Sequence, residues 1–147
     1  MAALQWLADG RRARSAEQVV DMLRELGPLT PEEVERRCDG DAAARAATLD
    51  AVRAMIPRRV CAVRVGGTGR LAVVEDAPLL RDGLGVPVPP GVAADTGTVR
   101  DAVDQLLLRW ARGRGPFTDA EAAAEFGLGV ATAGAVLRRW VQGRRLE

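Results

Sequence analysis

The sequence contains no lysine and no histidine; all 21 of its basic residues are arginine. That removes the Walker-type phosphate-binding lysine, the Schiff-base lysine, the imidazole general base and the imidazole metal ligand, and with them most familiar enzyme chemistries. Cysteine is scarce. Cys38 and Cys61 are too few for a disulfide framework and form no C-x-x-C pair, which suggests a reducing compartment, and both read as small buried apolar residues. No apolar run approaches the ~20 residues that span a bilayer. The short run Ala2 to Ala8 has no basic region before it and arginines after it, the wrong order for a signal peptide. The expectation is a soluble protein of the cytoplasm, or a piece of one, with no membrane partner. Charge of one sign is also lacking. The formal net charge is +1, so any nucleic-acid role must come from local clustering rather than a global field.

What is present is a core and a repeat. With 48% apolar residues in 147, the chain can hold one compact domain or two of roughly 60 to 75 residues. The phrase Gly27-Pro28-Leu29-Thr30-Pro31-Glu32-Glu33 returns as Gly115-Pro116-Phe117-Thr118-Asp119-Ala120-Glu121. In each copy a glycine ends one helix and a proline forbids its continuation. A threonine three residues before a glutamate then forms a capping box for the next helix, and the apolar residue before the cap can staple onto the first turn. Two modules follow from the repeat.

Taken in order, residues 1–13 read as a short N-terminal helix around Leu4, Trp6 and Leu7. Residues 14–76 read as a first winged-helix module. Its first helix is capped by Ser15 with Gln18 and carries Val19, Met22, Leu23 and Leu26; its second starts at Thr30 and carries Val34 and Cys38. The third opens at Asp41 and runs along Ala44, Ala47 or Thr48, Leu49, Val52 and Ile56 to Pro57. Val60–Val65 and Leu71–Val74, around Gly66-Gly67-Thr68-Gly69, predict a β-hairpin. Three helices and a hairpin is the order of a winged helix. Residues 77–97 read as a short helix and a proline-rich linker. Residues 98–147 read as a second module truncated before its wing, with Val99, Val103, Leu106, Leu107 and Trp110 on its first helix. Its last helix places Val130, Ala133, Leu137, Trp140 and Val141 inward and Ala131, Ala135, Arg138 and Gln142 outward. Gly134, inside that inner stripe, predicts a close approach. The fold class is thus mainly α with a short β-hairpin (α+β): tandem winged-helix, helix-turn-helix modules, the second lacking its wing.

Two arginine clusters suit DNA contact. Arg53, Arg58, Arg59, Arg64 and Arg70 fall in a stretch without acids, as do Arg138, Arg139, Arg144 and Arg145. With Thr132 on the last helix they are the candidate DNA-binding residues, arginines taking phosphates and short polar side chains meeting base edges. A solvated arginine face is the bland alternative. Trp110, Trp140 and Phe117 sit on apolar stripes and read as core, while Trp6 is open to an interface role. The acidic pairs Glu32/Glu33 and Asp119/Glu121 are explained by helix first turns, and Asp101 and Asp104 face outward with nothing to complete a metal site. No catalytic, cofactor or metal residue is expected.

Leu106 to Thr118, Ala122 to Val130 and Leu137-Arg138-Arg139 resemble the C-terminal region of the Lhr (large helicase-related) family of bacterial superfamily 2 DNA helicases. Val63 to Gly67 and Ala77-Pro78-Leu79-Leu80 are similar to the part preceding it. The resemblance implies a non-catalytic piece of an extension built from tandem winged helices. The parent would be an ATP-dependent DNA helicase of DNA repair in the bacterial nucleoid, whose ATP and Mg belong to a core absent here. Its implied partners are DNA, single-stranded or duplex, the remaining domains of the parent, and further copies of itself. The family's C-terminal region also resembles a winged-helix class of DNA glycosylases, but no motif here places a glycosylase aspartate. A free-standing winged-helix transcription regulator and a purely structural or oligomerisation module are the alternatives.

Overall fold

The computed structural model describes residues 6–7, 10–94, 97–112 and 117–142, with side chains except at 112 and 140–142. The chain is mainly α with one antiparallel hairpin. Its order is α1 (Ala16–Leu26), α2 (Pro31–Arg36), α3 (Ala42–Arg53), β1 (Val60–Val65), β2 (Thr68–Val73), a 3-10 turn at Val74–Asp76, α4 (Ala77–Leu84), α5 (Ala102–Arg112), α6 (Asp119–Phe126) and α7 (Val130–Gln142).

Local chemistry sets most of the boundaries. Both threonine–glutamate capping boxes form, Thr30 with Glu33 and Thr118 with Glu121, each closing both reciprocal hydrogen bonds. Ser15 caps α1 through the Gln18 N–H, but the Gln18 side chain accepts from Arg14 N at 2.7 Å, so the reciprocal half of that box goes one residue upstream. Asp41 Oδ1 accepts from Ala44 N at 2.8 Å and starts α3. That helix ends at Arg53, three residues short of the expected Ile56. There Met55 N and Ile56 N bond to the carbonyls of Val52 and Arg53, a tighter i to i+3 turn that rotates Ile56 off the apolar stripe and leaves it 36% exposed. Ala44 and Ala47, also expected on that stripe, are exposed; Leu49 and Val52 alone anchor α3.

The hairpin divides the core in two. Register Val65↔Thr68 to Val60↔Val73 places Val60 and Leu71 with Val73 on one side and Cys61, Val63, Val65 and Ala72 on the other. The first side closes on Val19, Val20, Met22, Leu23, Val34, Cys38 and Val52 from α1–α3. The second closes on Leu80 of α4, Leu106, Leu107 and Trp110 of α5, Ala122 and Phe126 of α6, and Ala133, Val136 and Leu137 of α7. Each such large side chain contributes about 1.5–3 kcal/mol by burial, so both faces are strongly held. A single sheet thus serves both sets of helices. The hairpin expected in the wing position is covered on this face by α5–α7.

The two copies of the repeated phrase do different things. Leu29 exchanges two backbone hydrogen bonds with Leu71, at 3.0 and 2.7 Å, and adds a third strand residue to the sheet. In the second copy Gly115 and Pro116 lie outside the described residues, and Phe117 packs edge-on to Trp110, ring centroids 4.8 Å apart. Phe126 flanks the same indole at 6.1 Å, confirming Trp110 as core. The N-terminal helix expected to reach residue 13 is not seen in its described part. Residues 10–12 turn, and Ala13 bridges Cys38 with 2.8 and 2.7 Å backbone bonds to Arg37 and Asp39. Val130, expected inside, is 54% exposed at the first residue of α7, and Val136 takes the inner position instead. Between α4 and α5 no helix or strand forms among the described residues, in keeping with Pro87, Pro89 and Pro90; Asp82 Oδ2 accepts from Val99 N at 2.7 Å across that span.

Candidate nucleic-acid interface

The arginine clusters separate once folded. Arg70 lies on the covered face of β2 and is only 7% exposed. Its Nη1 donates to Glu125 Oε1 at 2.7 Å and its Nη2 to the Glu125 carbonyl at 2.8 Å. This is a charge-assisted fork that ties the hairpin to the end of α6. As placed, Arg70 is withdrawn from the candidate surface, because its guanidinium faces a carboxylate and the second core. Arg59 is half-buried and pairs with Glu17 of α1, whose carboxyl is held below its usual range first by that hydrogen bond. Arg139 reaches Asp104 Oδ1 of α5 at 3.0 Å. Asp104, expected to face outward, is mostly covered.

Arg53, Arg58 and Arg64 remain exposed. Arg53 stands at the last turn of α3 and Arg58 in the turn that follows. Arg64 stands at the exposed end of the α1–α3 face of β1, its Nη2 donating to the Gly67 carbonyl at 2.8 Å, which holds the guanidinium beside the turn. Arg53 and Arg64 border a common groove of about 410 Å³, lined also by Pro31, Ile56, Ala62, Val63, Gly69, Leu71 and Arg70, whose guanidinium is held by Glu125. No carboxylate of the described residues lines it. On α7, Thr132 and Arg138 are exposed, but neither lines this groove; Arg144 and Arg145 lie outside the described residues. Trp6 is half-buried and its Nε1 donates to Glu25 at 3.2 Å.

The residues that alternation in the sequence could not reveal are the pins between the two halves. Arg109 of α5 donates to Asp76 Oδ1 at 3.0 Å and also reaches the Arg24 carbonyl at 3.5 Å. Burial raises the Asp76 carboxyl above its ordinary range, the neighbouring Arg109 opposing the shift without cancelling it. Gly66 at the hairpin turn (φ 60) and Gly127 at the α6 C-cap (φ 67) meet backbone to backbone. A Cβ on Gly66 would lie 3.0 Å from the Ala124 carbonyl, and one on Gly127 3.0 Å from Gly66 Cα. Gly134 does mark a close approach, but to a side chain: a Cβ there would lie 2.8 Å from Asp119 Oδ2. The thiols of Cys38 and Cys61 are buried and raised by that burial, Cys61 to about 11, as inert core groups are. No cluster of three or more carboxylates and thiols with metal-site geometry occurs among the described residues. No described helix alone is long and apolar enough to cross a membrane.

Three helices, a strand residue paired onto a hairpin and the hairpin itself define a winged helix, and α5–α7 add a second helix-turn-helix unit behind its sheet. A family model described as "Large helicase-related protein, winged-helix domain" matches residues 1–99. The chain belongs to the large helicase-related (Lhr) family. It is 48% identical over 146 residues, 99% of its length, to a Mycolicibacterium smegmatis protein described as "Lhr helicase/ probable uracil glycosylase". It is 38% identical over 129 residues, 87% of its length, to an Escherichia coli protein described as "Lhr helicase/uracil glycosylase". The chain spans 9% and 8% of the lengths of these relatives.

Proposed function

We propose that this chain is a non-catalytic nucleic-acid-contacting part of an Lhr-type DNA helicase acting in DNA repair in the bacterial cytoplasm. The observation that carries the reading is the exposed trio Arg53, Arg58 and Arg64 at the junction of α3 and the hairpin, of which Arg53 and Arg64 border a groove lined by no carboxylate of the described residues. Phosphates are the natural counter-charge for such a surface, and arginine contacts them without sequence preference. ATP and Mg would bind a motor core elsewhere in the parent, and the remaining parent domains and further copies of it are the protein partners of this reading. Arg138 with Thr132 forms a second, smaller contact on α7. The test is fluorescence anisotropy with a labelled DNA oligonucleotide at two salt concentrations. The parent chain binds and weakens with salt, and the Arg53→Ala/Arg58→Ala/Arg64→Ala variant binds at least tenfold more weakly at low salt. Salt-independent binding, or equal binding by the variant, overturns the reading.

An assembly role is the second reading, favoured by the exposed alanine face of α3 (Ala43, Ala44, Ala47 and Ala51), which has few charges to keep it in water. Sedimentation at rising concentration separates the two: self-association that persists in the triple arginine variant supports assembly.

A further inference from the structure

The groove between the end of α3 and the uncovered end of the hairpin face beside it suits a narrower ligand than DNA in general. We propose that it holds one unstacked base of a single-stranded nucleic acid, with the flanking phosphates on Arg53 and Arg64. This rests on the nucleic-acid contact argued above and adds the strandedness of the ligand.

Three features of the molecule converge on it. The first is the layout of the groove: Ile56, Ala62 and Leu71 make an apolar floor, and the two guanidinium groups stand at its borders. A planar apolar body carrying an anion at each end matches that layout, and one nucleotide step of a single strand is such a body. At about 410 Å³ the groove lies in the range of roughly 300–1,000 Å³ typical of sites for small organic groups. The second is that the floor is kept open by small residues. Ala62 is exposed, a Cβ on Gly69 would meet nothing within 4 Å, and Ile56 is held half out of the core by the tight turn after α3.

The third is the state of the elements a winged helix uses on a duplex. The exposed surface of α3 is largely alanine, with no Asn or Gln to pair with a base edge. Its Arg45 Nε donates to the Gly40 carbonyl at 2.9 Å and its Thr48 hydroxyl to the Ala44 carbonyl at 3.1 Å, so both polar side chains are turned onto backbone. The hairpin turn, which would otherwise reach along the duplex, is packed at Gly66 against the end of α6. What is left to meet a base is the end of the α1–α3 face that those helices do not cover, around Ala62, Arg64 and Gly69, and a base inside a duplex stack cannot enter it.

The test uses the whole chain and three labelled probes: a roughly 12-nucleotide oligothymidine, the same strand with abasic sites at its centre, and a duplex of equal length. The oligothymidine binds about tenfold more tightly than the abasic strand and than the duplex. Ala62→Leu and, independently, Gly69→Val fill the floor and abolish the preference for the intact strand while leaving the melting temperature within a few degrees. An abasic strand that binds as well as the intact one, or a duplex that binds better, with Arg53→Ala still weakening both, overturns the base site and leaves the nucleic-acid contact standing. Failure of all three probes to bind overturns both.

Discussion

The two faces of one hairpin carry one arginine each, at adjacent pairs of the strand register, and the fold uses them in opposite ways. Arg64 stands opposite Gly69 at the exposed end of the face that α1–α3 partly cover, beside a groove lined by no carboxylate of the described residues. Arg70 stands opposite Val63 on the covered face, closed into a fork with Glu125. Their backbone environments are alike; what differs is whether helices lie over them. An arginine in a wing is therefore no evidence of a phosphate contact until the covering of its face is known. The contrast also explains what the second helix trio, which has no strand of its own among the described residues, packs against. It borrows the back of the first unit's sheet.

The largest test of this contrast is at Arg70. Arg70→Ala leaves Glu125 partly buried without its partner, and urea denaturation should show a loss of about 3 kcal/mol or more. Replacing both, Arg70→Met with Glu125→Leu, should restore most of it, since an apolar pair satisfies a covered face about as well. Next comes the turn. Gly66→Ala places a methyl against the Ala124 carbonyl at a positive φ and should destabilise by about 2 kcal/mol, whereas Gly67→Ala, with nothing within 4 Å, meets only the strain of its φ, about 1 kcal/mol. Equal effects would mean that the turn does not dock on α6.

A smaller effect separates the halves by pH. Because burial raises the Asp76 carboxyl, the folded chain holds that proton more tightly than the unfolded one. Its contribution to stability is therefore full below about pH 4, the ordinary aspartate range, and declines as pH rises through the raised folded value, by no more than about 1.4 kcal/mol per pH unit. Asp76→Asn should remove that decline, measured as the stability difference between parent and variant from acid to neutral pH. A difference that grows toward neutral pH would show that Arg109 outweighs burial. Smallest of all, Arg64→Ala should change stability by less than about 0.5 kcal/mol, as expected at an open surface.

Much of this architecture is legible in the residues. The capping threonines, the glycine and proline breaks and the alternation in Val60–Val65 act through local backbone chemistry, and the elements they predict are present. What was not legible depends on contacts distant in sequence. Nothing local distinguishes Arg64 from Arg70, and the partner of Arg70 lies 55 residues away. Leu29 as a strand residue is a single bridge to Leu71, too short for any periodic pattern. Ile56 followed the helical spacing faithfully until the last turn tightened. The alanines of α3 fit either side of a helix, so their period carried little information about which side was covered. Of the candidate contact residues, Arg53, Arg58, Arg64, Thr132 and Arg138 are exposed, while Arg59, Arg70 and Arg139 are engaged in ion pairs.

The most direct measurement crosses the two arginines. Denaturation midpoint and affinity for one labelled single-stranded oligonucleotide are measured for Arg64→Ala and for Arg70→Met/Glu125→Leu beside the parent chain. The account predicts that Arg64→Ala keeps the midpoint and weakens binding about fivefold, while the double variant keeps binding within about twofold. Unchanged binding in Arg64→Ala together with lost binding in the folded double variant would contradict it.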